Sequence, residues 1–171
     1  KQILRQDKGT PKMQEIASAI KEGANARNIT MVITEVNNRL VRKILEITEK
    51  KLGTPPVNYC WIVFGSEGRK EQVFKTDQDN VLIYEDPETP EKAEEARTYF
   101  SGFTLLVRDS FMKCGFPQCP LDYMASNPQW CQPLRVWKKY FADWIHEPSP
   151  EGVFKSLVFF DFRPIHGEFF L

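Results

Sequence analysis

Apolar positions recur along this chain with two textures, helical at first and strand-like later. Thr10-Pro11 reads as an N-cap with proline at the first helical position. Met13, Ile16, Ala17 and Ile20 then fall at i, i+3, i+4 and i+7, one apolar stripe. Gly23 to Asn28 interrupts the pattern. Ile33, Val36, Leu40, Ile44 and Ile47 resume it and predict a second helix from about Thr30 to Lys51. Gly53 closes that helix and Pro55-Pro56 prevents its continuation. No chemistry is evident in this helical segment, residues 1–54.

From Val57 the runs become short and continuous. Tyr59 to Phe64 is an apolar run ended by glycine, as expected of a buried strand. Gly65 to Thr76 reads as a turn and a short polar helix, and Asp79 to Tyr84 as a second strand. Thr89-Pro90 caps a helix reaching about Lys113, with Ala93, Ala96, Phe100, Phe103 and Val107 inward. Gly115 to Pro133 is loop-rich, Leu134 to Ile145 helical, and Pro148-Ser149-Pro150 a linker or turn. Ser156 to Arg163 reads as a third strand. Helices, two strands, helices and a strand predict an α+β fold, a small mixed sheet covered by helices. Residues 55–171 form its core domain.

Composition narrows the function classes. Apolar residues make up 42% and charged residues 27% of 171, a balance suited to a packed fold. The 23 basic and 23 acidic residues cancel, so nothing argues for neutralising a nucleic-acid backbone. No apolar run approaches a membrane span. Cys60, Cys114, Cys119 and Cys131 are too few for a disulfide scaffold and lack zinc-site spacing. Packed, reduced thiols and a cytoplasmic location are the expectation. Phe169-Phe170-Leu171 makes a poor free end, so the chain is expected to be part of a longer protein.

Chemistry concentrates between Phe64 and Tyr84. Gly65-Ser66 follows a buried strand and opens a helix, where free N–H groups and the Ser66 hydroxyl form a phosphate cradle. Arg69 adds a cation beside it. Asp77 and Asp79 stand two apart at a strand entrance, where extended residues share a face at roughly 6.5 Å. Two such carboxylates repel one another unless a cation sits between them, and magnesium prefers these hard oxygen ligands. Ser66 and Asp77 lie eleven residues apart, enough for a turn, a short helix and a return to a neighbouring strand. Taken singly, each element also fits a plain structural role.

Gly65-Ser66 with Asp77-Gln78-Asp79 opening an apolar strand resembles the signature of the nucleotidyltransferase superfamily that includes DNA polymerase beta. The longer string Gly65-Ser66-x-Gly68-Arg69-x-Glu71-Gln72, with Thr76-Asp77-Gln78-Asp79-Asn80, resembles a narrower group. Its members are nucleotidyltransferase domains found beside CBS and cyclic-nucleotide-binding domains in bacterial signalling proteins, related to the protein-PII uridylyltransferases. The likeness continues through Cys114-Gly115, Cys119-Pro120, Met124 to Pro128, Trp130 and Phe159 to Arg163, and so spans Val57 to Gly167.

The resemblance implies a polymerase-beta-like fold and transfer of a nucleoside monophosphate from a nucleoside triphosphate to an acceptor hydroxyl. Gly65, Ser66, Gly68 and Arg69 would hold the triphosphate. Asp77 and Asp79 would hold Mg2+, as a two-ion site. Asp161, between Phe160 and Phe162, matches the third carboxylate that the superfamily adds on a later strand; its structural alternative is a pair with Arg163. Without a third carboxylate, the domain would be a nucleotide-binding regulatory module. The acceptor would be a protein or small molecule, and the neighbours fused regulatory domains. Among the remaining candidates, Glu71 is expected to cap or to pair with Arg69, Lys75 to be solvated, and Trp130 to be core.

Overall fold

The computed structural model describes residues 11–21, 25–73, 77–146 and 149–168. Thr10, Lys75 and Pro148 lie outside them, as do the side chains of Ile16 and Ile20. Helix α1 (Pro11–Lys21) leads to the long α2 (Ala26–Leu52). Strand β1 (Tyr59–Val63), the short α3 (Gly65–Gly68) and β2 (Asn80–Tyr84) follow. Then come α4 (Pro90–Lys113), β3 (Cys131–Pro133), α5 (Leu134–His146), α6 (Pro150–Phe159) and β4 (Arg163–Gly167).

The strands form one mixed sheet in the order β3-β2-β1-β4. The central strand β1 runs antiparallel to both β2 and β4, while β3 lies parallel to β2. Every residue of β1 is buried because both faces of the sheet are covered. Tyr59, Trp61 and Val63 point to one face and pack with Val41, Ile44 and Leu45 of α2 and Phe100, Phe103 and Val107 of α4. Cys60, Ile62 and Phe64 point to the other and pack with Trp130, Trp137 of α5 and Phe159 of α6. The mixed sheet covered by helices is the architecture that the sequence predicts, and Trp130 is core. No helix among the described residues is long and apolar enough to cross a membrane.

Three local expectations are corrected. Ser156 to Arg163 is not a strand, because Ser149 caps a helix there: its hydroxyl accepts from the Gly152 N–H (3.0 Å), with Pro150 at the first position. Only Phe159 of the apolar run is fully buried, while Leu157, Phe160 and Phe162 are exposed. The true edge strand, β4, carries Pro164, which an edge tolerates. The loop-rich stretch before α5 holds β3, a three-residue edge strand that hydropathy does not mark. Finally, α2 starts at Ala26, where the Asn25 side chain accepts from the Arg27 N–H (2.9 Å), and its buried face includes Thr34, Asn37 and Asn38. Val36 and Ile47, expected inward, are exposed.

Candidate functional site

The antiparallel pairing of β1 with β2 sets Val63 opposite Asn80, so the end of one strand meets the start of the next. The Phe64 N–H donates to the Asp79 carbonyl (3.4 Å), and α3 begins one residue later. Gly65 takes a left-handed conformation, φ +59°, and a Cβ placed there would lie 3.7 Å from Asp79 Oδ2. The first helical bond of α3 is donated by Gly68 to the Phe64 carbonyl (3.2 Å). The N–H groups of Gly65, Ser66 and Glu67 therefore precede the ladder, at the turn that faces the carboxylate. Turn and acidic pair meet, as their spacing in the sequence anticipates.

Asp77 and Asp79 share a side because their neighbours are tied down on the other. Buried Gln78 donates through its backbone to Pro117 (3.2 Å) and through its side chain to Phe116 (3.1 Å). Buried Asn80 accepts the Ala125 N–H at its Oδ1 (3.0 Å) and donates its own N–H to Tyr123 (3.2 Å). These bonds fix the period-two alternation of extended chain, so both aspartates project together. One carboxylate oxygen from each and the Cys119 sulfur all lie within 4.8 Å of one another.

Burial, foremost, raises the Asp79 pKa, and the charge of Asp77 raises it further; a hydrogen bond from Cys119 opposes both. Burial likewise raises the Cys119 thiol above its ordinary value. Cys119 is thus a neutral S–H donor to Asp79, while the two carboxylates are the hard donors of the group. A divalent cation between them would relieve their mutual repulsion, and carboxylate oxygens suit such an ion better than a protonated thiol does.

Two sequence candidates serve each other instead. The Arg69 guanidinium bonds Glu71 Oε2 (2.8 Å) and Asp161 Oδ2 (2.7 Å), all three side chains exposed. Asp161 lies between α6 and β4, outside the Asp77, Asp79 and Cys119 group, and its partner is Arg69 rather than Arg163. Gly68 has a packing reason to be glycine: a Cβ there would fall 1.8 Å from the Asp161 carbonyl oxygen. Glu71 and Gln72 follow α3 rather than lying on it, because the helix is only four residues long.

The family model described as "Putative nucleotidyltransferase DUF294" matches residues 12–151. The chain belongs to this family. The match takes in α1, α2, the Gly65 turn, Asp77, Asp79 and Cys119, and it ends before Asp161 and β4. No curated protein and no solved structure matches the chain.

Behind the turn, the DUF294 domain is braced by buried polar groups. Glu67 accepts from the Gln72 side chain (3.3 Å), and Gln72 in turn accepts from Asn37 of α2 (2.9 Å). Arg163 of β4 donates to the Glu67 carbonyl (3.0 Å) and to Asn38 Oδ1 (3.1 Å). Burial pushes the Glu67 carboxyl up to about 7; Asp79 adds to the rise, and Arg163 with Gln72 opposes it. Sequence reasoning missed Cys119, Glu67, Asn37 and Asn38. The signal available was two adjacent asparagines within a helical repeat, where polar residues are worth burying only against partners.

Proposed function

We propose that this domain transfers a nucleoside monophosphate from a nucleoside triphosphate to an acceptor hydroxyl, using Mg2+ held by Asp77 and Asp79. The observation that carries the reading is the meeting of turn and acid, Gly65 facing Asp79 Oδ2. Amides that precede a helical ladder bind phosphate oxygens, and Ser66 adds a hydroxyl beside them. When bound, Mg2+ would neutralise the phosphates and favour ionisation of the attacking hydroxyl. The acceptor hydroxyl gives up its proton to water and its oxygen bonds to the α-phosphorus. The bond between the α-phosphorus and the bridging oxygen breaks, and pyrophosphate leaves. The catalytic core in this reading is residues 55–171, and α2 of the helical segment 1–54 braces it through Asn37 and Asn38.

Arg69 and Asp161 enter by exchange. Exposed ion pairs are weak, so a triphosphate can take Arg69 from Asp161. The released carboxylate then supplies the third acidic group. Four free cysteines support a cytoplasmic setting, and the Gly65–Gln72 string supports a signalling protein with further regulatory domains. A module that binds nucleotide without turnover is favoured by one observation, the engagement of Asp161 with Arg69 away from Asp77 and Asp79.

Calorimetric titration with ATP, UTP, GTP and CTP, with and without Mg2+, tests the site. Magnesium-dependent binding that disappears in Asp77→Asn supports the assignment. Binding that survives unchanged in both Asp77→Asn and Asp79→Asn removes it. Turnover assays on a nucleotide that binds then separate the enzyme from the silent module.

A further inference from the structure

Away from the acidic pair, α4, the edge strand β3 and the start of α5 enclose a cavity of about 400 Å³. That volume suits a small molecule, because ligand pockets start at roughly 300 Å³. Its floor is largely apolar, formed in part by Tyr84 and Cys131. Arg97 from α4 and Arg135 from α5 line it, together with Ser101 and Ser126. Neither cation is held by a strong partner. Arg97 pairs with Glu94 three residues earlier on α4, both side chains exposed, an arrangement that contributes little in water. Asp86 accepts the Arg135 backbone N–H (3.0 Å), and among the described residues the Arg135 guanidinium has no ion-pair partner.

We propose that this cavity is a second ligand site, taking a small phosphate monoester with a compact apolar body. Two arginines match a dianion, since guanidinium forks pair with phosphate oxygens through parallel hydrogen bonds. The apolar floor takes the organic part. The site is independent of the reading of Asp77 and Asp79, yet one of its walls touches them indirectly. Ala125 lines the cavity and gives its N–H to Asn80 Oδ1, and Asn80 directly follows Asp79. An occupant that presses on Ala125 is therefore registered at the first residue of β2.

The test is a titration of the 15N-labelled chain, without metal, with phenyl phosphate, inorganic phosphate and phenol in separate arms. Phenyl phosphate is expected to give saturable amide shifts at Arg97, Ser126 and Asn80. The other two probes are expected to bind at least about tenfold more weakly, ~1.4 kcal/mol or more. Arg97→Ala combined with Arg135→Ala alters two exposed positions and should keep the spectrum folded while abolishing saturation. Asp79→Asn should leave binding intact, which separates this site from the acidic pair. Absence of saturable shifts, or equal affinity in the double arginine variant, overturns the proposal. Equal binding of inorganic phosphate overturns the organic part, and shifts at the cavity without Asn80 overturn the coupling.

Discussion

Gly65 and Asp79 meet where β1 gives way to α3, close enough that a Cβ on Gly65 would touch the Asp79 carboxylate at 3.7 Å. The contact is ordinary in length, so the difficulty for a side chain is conformational, φ +59°. Left-handed backbone costs a non-glycine residue about 1–2 kcal/mol. Gly65→Ala is expected to lower stability by that amount in denaturant titrations. It should weaken magnesium-dependent nucleotide binding by more than the lost stability explains, because the new methyl sits between turn and acid. Undiminished binding in a folded Gly65→Ala variant would place the phosphate elsewhere.

Glu67 gives the domain a pH dependence with a definite sign. Its folded pKa, about 7, stands above the ordinary 4.5, so the native state binds this proton more tightly than the unfolded chain. The cost of burying its charge is complete above about 7, fades as pH falls toward 4.5, and is absent below that. The two values correspond to ~3 kcal/mol. Glu67→Gln carries no charge at any pH. It should melt higher than the parent above neutrality and converge with it in mild acid. Parallel melting profiles for the two proteins would show that Glu67 is already compensated by Arg163.

How much of this was readable in the sequence depended on what each segment is packed against. β1 and β2 were legible because they are central and each carries a continuous apolar run, Val81–Tyr84 in β2. β3 and β4 were not, because three residues at one edge and Arg-Pro-Ile-His-Gly at the other owe their pairing to neighbours. α6 was legible in principle: Ser149-Pro150-Glu151 repeats the cap-proline-acid order of Thr89-Pro90-Glu91, which located α4 correctly. The apolar run after it outweighed that signal. At the site, period-two spacing placed Asp77 and Asp79, whereas Cys119 arrives from a loop forty residues on and no local pattern announces it.

The pair Arg69 and Asp161 is expected to matter for chemistry more than for stability. Both side chains are exposed, so Asp161→Asn should change stability by less than about 1 kcal/mol. It also removes one of the two carboxylates that hold the guanidinium, leaving Glu71, so nucleotide affinity measured by calorimetry should hold or rise. Turnover should fall if the carboxylate joins the metal after Arg69 leaves it. Unchanged turnover with tighter binding would instead reduce Asp161 to a competitor of phosphate for Arg69.

Gly68 is where the α6–β4 turn rests on the Gly65 turn. An added Cβ would sit 1.8 Å from the Asp161 carbonyl oxygen and 2.9 Å from its carbon, both backbone atoms that cannot swing aside. Gly68→Ala must push the two turns apart, and forced overpacking of this kind costs about 1–3 kcal/mol. Gly102 is the matched control, a glycine inside α4 with nothing within 4 Å of its added Cβ. Gly102→Ala should gain up to about 1 kcal/mol from helix propensity. Opposite shifts of the two urea midpoints are therefore expected. Because displacement of Asp161 also breaks its bond to Arg69, Gly68→Ala should mimic Asp161→Asn in nucleotide affinity while differing from it in stability. A Gly68→Ala protein as stable as the parent would mean that the two turns do not rest on one another in solution, and Asp161 would then lie free of Arg69 before any nucleotide binds.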